Sequence, residues 1–226
     1  MLDWLPEPIR PQISSDILVD AMFETIYMVA WSLLFSAILG VVLGIVLVVT
    51  RPGHIMENRV VYNAINPVIN VLRSIPFVIL LVAIIPLTRL LVGTSLGTTA
   101  AIVPLVFYAG PYIARLIENS LLEIEPGIIE AADSMGASKW QIVFKFLVPE
   151  AMSSLILSMT TATIGLVGAT AMAGAIGAGG IGDVAIAYGY NRFDDGTMFV
   201  TVMILILMVQ VIQTVGNIAS KKVRRR

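Results

Sequence analysis

The sequence has no cysteine in its 226 residues. That excludes a disulfide framework, a thiol nucleophile and a thiolate metal site. It has one histidine, His54, too few for a metal cluster or a histidine-based triad. Charge is scarce: 13% of residues are Asp, Glu, Lys or Arg, against about 25% in soluble domains. With 58% hydrophobic residues, lipid is the expected main solvent. No G-x-x-x-x-G-K-[ST] run occurs, so there is no P-loop for ATP. No Ser-His-Asp or paired-carboxylate arrangement is legible either. Catalysis by this chain is therefore not expected, and no cofactor, metal or nucleic-acid partner is implied. The acidic start, with Asp3, Glu7, Asp16, Asp20 and Glu24, lacks the basic n-region of a cleavable signal.

What is present is a series of long apolar runs. A membrane-spanning helix needs about 20 such residues. Five runs approach that length: 25–49, 68–87, 96–115, 152–176 and 198–218. The expectation is an all-α polytopic membrane protein with five transmembrane helices, forming one transmembrane domain over residues 1–226. The second run contains Pro76 and Pro86, and the third contains Pro104 and Pro111. Arg73, near the start of the second run, reads as snorkelling to the inner interface. No other charged residue is expected deep in a span, which disfavours a carrier driven by protons or sodium through midplane acids.

Positive charge sets the orientation. With the N-terminus outside, Arg51, Arg59, Arg115, Lys139, Lys145 and the basic tail Lys221, Lys222, Arg224, Arg225 and Arg226 all fall inside. The outer segments keep Arg10, Arg89 and Arg192. The expected topology is N-out and C-in, in a bilayer.

Small residues recur at helical spacing. Ser36, Gly40 and Gly44 share a face of the first span, and Ser154, Ser158, Gly165 and Gly168 or Ala169 do much the same on the fourth. Such faces let backbones approach closely. On the fourth span, Ser158, Thr161, Gly165, Gly168 and Met172 are candidates for a translocation path or a seam between two copies. Packing within the chain is the competing reading.

Gly177-Ala-Gly179-Gly180-Ile-Gly182 matches G-x-G-x-x-G literally. A dinucleotide site needs a strand before it and a βαβ unit around it, and neither is expected here. It reads instead as a mobile glycine-rich turn, or as an outer gate or docking loop with Gly179, Gly180, Gly182 and Tyr190.

One charged island interrupts the apolar runs, within a cytoplasmic loop at about residues 118–149. It runs Glu130-Ala131-Ala132-Asp-Ser-Met-Gly136-Ala137-Ser-Lys-Trp140-Gln-Ile-Val-Phe144, and continues to Pro149. It predicts two short helical pieces joined at Gly136-Ala137 and closed by Pro149. Trp140 and Phe144 lie four apart and share one face. Insertion into a partner's groove and a helix lying on the inner leaflet are equally good readings of these residues alone.

The island resembles the EAA loop of ABC importer permeases: Glu-Ala-Ala, three residues, Gly, nine residues, then Ile-x-Leu-Pro. Glu130, Ala131, Ala132, Gly136 and Pro149 stand at matching positions, with Phe146 for the Ile and Val148 for the Leu. Residues 73–86 and 174–193 are similar to stretches of methionine importer permeases. The resemblance implies a type I ABC importer permease fold in a bacterial inner membrane. It implies a homodimer served by two cytoplasmic ATP-binding subunits and an external methionine-binding lipoprotein. Glu130, Ala131, Ala132, Gly136, Ala137, Trp140 and Phe144 would then couple the chain to the ATPase. The cargo would be methionine, L- and D-. Another small solute such as a quaternary amine or phosphonate, or an ion-coupled carrier acting without an ATPase, are the alternatives.

Overall fold

The computed structural model describes residues 11–224. Asp3, Glu7, Arg10, Arg225 and Arg226, used above in the charge argument, lie outside the described residues. Among the described residues ten α-helices follow one another: α1 Ser15–Thr50, α2 Arg59–Ser74, α3 Phe77–Ala83, α4 Ile85–Val92, α5 Thr98–Leu122, α6 Pro126–Ser134, α7 Lys139–Gln141, α8 Val148–Gly174, α9 Gly180–Val184 and α10 Asp195–Arg224. Two π-helical stretches, Ile142–Leu147 and Ala185–Tyr190, continue α7 into α8 and extend α9. Among the described residues, four helices are long and apolar enough to cross a membrane: Ser15–Thr50, Thr98–Leu122, Lys139–Gly174 and Asp195–Arg224. A fifth exists only if the bent pair α2 and α3 counts as one span.

Three expectations need correction. The run at 68–87 is not one helix. Its break lies at Ile75-Pro76, where Pro76 adopts φ −56 and ψ 136. A proline disfavours helical geometry in the residue before it and supplies no N–H, so α2 stops and α3 starts afresh. Pro149 does not close the second piece of the island, because that piece is the start of a 36-residue helix, Lys139–Gly174. A proline clashes with the carbonyl four residues back, here Lys145, inside the π-helical stretch Ile142–Leu147. The wider turn relieves the clash and lets the helix run on. Finally, the third run does not end at Arg115: α5 continues to Leu122 and carries the pair Arg115 and Glu118, with Glu118 buried.

The chain forms two compact units. The first takes the chain up to Phe35, Ile75–Tyr108 and Thr163–Ile212, and the second takes Ser36–Ser74, Ala109–Ala162 and the chain from Gln213. In the first, buried Leu18, Ala21, Ile181 and Val184 form an apolar cluster with Ile17, Tyr188 and Leu205 packed on it. In the second, Leu47 on α1, Ile69 on α2 and Ala114 on α5 do the same. Close packing supplements these contacts, since lipid offers little hydrophobic drive between helices. A Cβ at Gly40 would lie 2.5 Å from Ile113 Cγ2, and one at Gly44 would lie 2.7 Å from the Ala114 carbonyl. The small face of α1 is thus spent inside the chain, against α5. The hydroxyls of Ser153 on α8 and Ser220 on α10 meet at 2.8 Å. A Cβ at Gly216 would run into Thr160.

Candidate functional site

The island is built by two caps placed back to back. α6 starts with Pro126 in its first turn, where a missing N–H costs nothing. It ends at Met135, and Gly136 then takes φ +77. The Gly136 N–H donates to Asp133 O at 2.9 Å and the Ala137 N–H donates to Ala132 O at 3.1 Å. That pair of bonds satisfies the last carbonyls of α6 and needs a left-handed residue at position 136. One residue later the next helix begins. Ser138 N–H donates to Gln141 Oε1 at 2.8 Å, and Gln141 N–H donates to Ser138 Oγ at 3.4 Å. This capping box satisfies free donors at both ends of the first turn. The joint between the two pieces is therefore fixed by hydrogen bonds, not loose.

Burial divides the island's residues. Ala132 is fully buried, as are Ile142, Val143 and Leu147 of the following turn. Ala132 therefore faces its own chain. Glu130, Ala131 and Gly136 are exposed, and Ala137 is half-buried. Met135 is 70% exposed, Trp140 58% and Phe144 56%. The Trp140 and Phe144 rings stack with centroids 6.0 Å apart and planes 15° from parallel. The same-face expectation holds, and the stacked pair is largely exposed.

An open groove of about 470 Å³ runs beside this surface, lined by Gly53, His54, Ile129, Glu130, Asp133 and Lys139 among others. Burial and the Arg51 charge both hold the His54 imidazole below its ordinary pKa, so His54 is neutral at pH 7. Among the described residues no group of three His, Cys, Asp or Glu is arranged for a metal ion.

The fourth-span candidates do not share one fate. The Ser158 hydroxyl lies 2.8 Å from that of Ser120 on α5, inside the chain. Thr161 is exposed and donates to Leu157 O at 3.0 Å. Gly165 is half-buried, Gly168 is exposed and Met172 is 53% exposed. Positions 161, 165, 168 and 172 fall on one helical stripe. A Cβ at Gly168 would meet nothing within 4 Å. Gly168 opens onto a groove of about 350 Å³ with Ile164, Ala171, Leu205 and Gln210.

The glycine-rich segment is anchored. Gly179 and Gly180 have φ of +83 and +80. The Gly180 N–H donates to Glu24 Oε2 at 2.7 Å and the Ile181 N–H donates to Thr25 Oγ1 at 2.9 Å. Gly182 packs against the Ala171 backbone so closely that a Cβ would overlap it. Tyr190 is 67% exposed, and the Arg192 guanidinium lies 4.3 Å above the Tyr188 ring. Glu24 and Thr25 escaped the sequence reading, because nothing local ties them to residues more than 150 positions away.

Known proteins share this architecture. The model of the family described as "Binding-protein-dependent transport system inner membrane component" matches residues 36–226. A protein from Vibrio cholerae serotype O1, named "Probable D-methionine transport system permease protein MetI", is 48% identical over 95% of each chain. One from Bacillus subtilis (strain 168), named "Methionine import system permease protein MetP", is 42% identical over 80% of this chain and 81% of its own. A solved structure described as "Inward facing conformations of the MetNI methionine ABC transporter" superposes with a TM-score of 0.91 at 44% identity, covering 97% of this chain and 99% of that one. The chain belongs to the family of inner membrane components of binding-protein-dependent transport systems.

Proposed function

We propose that this chain is the membrane-spanning subunit of an ATP-driven importer that brings methionine, L- and D-, into the cytoplasm. It works as a homodimer with two ATP-binding subunits on the cytoplasmic side and a methionine-binding lipoprotein outside. The observation that carries this reading is the rigid, exposed island: α6, Gly136 and the stacked Trp140–Phe144 pair, in a chain without a nucleotide site. A stacked aromatic pair held on a capped helix offers a large contact area at little cost in side-chain entropy, the usual make-up of a binding hot spot. The positively charged segments put it on the ATP side.

In this reading ATP-driven closure of the two ATPase subunits draws the two islands together. The spans then shift between an inward-open and an outward-open state. The stripe Thr161, Gly165, Gly168 and Met172 faces the second copy or the pathway. The names of relatives at 42–48% identity support methionine as cargo.

Retention of the ATPase by the tagged chain in detergent tests the island. Trp140→Ala is expected to weaken it about fivefold or more, the effect of losing a modest hot spot, with no change in membrane insertion. Wild-type retention by Trp140→Ala and Phe144→Ala alike would remove the island from the interface.

A further inference from the structure

α5 carries Arg115 and Glu118 three residues apart, and Glu118 is 1% exposed. Arg115 Nη1 pairs with Glu118 Oε2. Its other terminal nitrogen, Nη2, donates to Asn66 Oδ1 at 2.7 Å and to Asn70 Oδ1 at 2.7 Å. Asn66 and Asn70 sit one turn apart on α2, on a face shared with Ile69, which is buried against Leu47 and Ala114. Arg51, just past the end of α1, approaches the other Glu118 oxygen at 4.0 Å. All these groups belong to the second unit, as does the whole island.

We propose that Arg115 is a positioning residue for transport, whose guanidinium locks α2 to α5 so that both move with the island. The inference rests on the coupling role proposed above. Geometry supplies the reason. α5 ends at Leu122 and α6 begins at Pro126, so displacement of the island reaches α5 through three residues. α2 has no such covalent link to the island and needs a separate tie. An apolar contact alone permits sliding, since ridges of side chains have several packed registers. A guanidinium is planar, with donors in a fixed fork. Here one Arg engages a carboxylate on its own helix and two amide oxygens on the next, which fixes register and rotation together. Glu118 holds the fork in place, and burial makes an unpaired partner costly. A helix pair placed only for stability needs no such directional tie. A pair that must transmit a displacement does.

Arg115→Lys separates these roles. Lysine keeps the positive charge beside Glu118, but its ammonium is a point donor that cannot span Glu118 and both asparagines. In proteoliposomes holding the complete complex with its ATPase and binding protein, Arg115→Lys and the double substitution Asn66→Ala/Asn70→Ala are both expected to assemble normally. Both should hydrolyse ATP at near the wild-type rate, and both should lower methionine uptake per ATP hydrolysed by at least about fivefold, the low end of a coupling free energy. Wild-type uptake per ATP in both variants would overturn the proposal, as would a parallel loss of assembly and hydrolysis in both, which is the signature of a purely structural role. The wild-type complex run alongside tests the underlying reading separately. If its uptake does not need ATP, the coupling role itself fails.

Discussion

Gly136→Val is expected to lower ATP-dependent uptake by about fivefold to thirtyfold, with the chain present in the membrane at its usual level. Position 136 has φ +77, and a Cβ there would touch nothing within 4 Å. The effect is therefore conformational and not steric. A β-branched residue pays about 1–2 kcal/mol or more in the left-handed region, and 1–2 kcal/mol is a factor of about 5–30 in an equilibrium. The strain is relieved by abandoning the bonds from Gly136 to Asp133 and from Ala137 to Ala132. The angle between α6 and the Trp140–Phe144 pair is then lost, and with it the fit of the two pieces to one partner. Asparagine tolerates this backbone region better than other side chains, so Gly136→Asn should keep most of the uptake. Equal uptake by wild type and Gly136→Val, measured with ATP saturating, would show that the fixed joint is not needed.

The second large effect falls on stability. Gly182→Val should lower the amount of folded protein by tenfold or more and the unfolding midpoint in detergent by at least about 5 °C. The reason is mutual. A Cβ at Gly182 would overlap the Ala171 backbone, and one at Gly174 would overlap the backbone of Gly182 and Asp183. Backbone meets backbone on both sides, so no rotamer can yield. Overpacking of this kind costs about 1–3 kcal/mol even where side chains can adjust. Gly168→Ala on α8 is the control. That site is open, alanine favours helix over glycine by about 1 kcal/mol, and the midpoint should not fall. A Gly182→Val chain as stable as wild type would mean that α9 does not pack on α8 as described.

These two glycines show which parts of the structure were legible in the sequence. Gly136 was readable because its cause is local: helix formers before it and an aromatic pair four apart after it. The caps use residues within five positions of one another. Gly182, read as part of a mobile turn or of an outer gate or docking loop, lies in helix α9, and its packing was not legible because its cause is distant in sequence, in Ala171 and, for its neighbours Gly180 and Ile181, in Glu24 and Thr25. The four uninterrupted spans were legible from hydropathy. The break at Ile75-Pro76 was not, since apolar residues continue on both sides of it. Pro149 suggested a stop, but the π-helical turn before it absorbs the clash. Arg115 and Glu118 were hidden because the apolar run was closed at Arg115, whereas the helix continues to Leu122. Asn66 and Asn70 were not singled out, because their partner Arg115 lies more than 40 positions away.

The small-residue positions on α8 divide. Ser158 turned out to bond within the chain, while Thr161, Gly168 and Met172 stay uncovered. Length of side chain alone did not separate these cases, because serine and glycine serve close packing equally well.

This chain is expected to move methionine only when driven through its island by an ATPase. The most direct measurement is uptake of labelled L-methionine into proteoliposomes holding the chain with its ATPase and binding protein, with and without ATP. The expected result is flux that requires ATP, the ATPase and the binding protein, and that excess unlabelled L- or D-methionine suppresses. Equal flux by the chain alone, driven by an ion gradient, would contradict it.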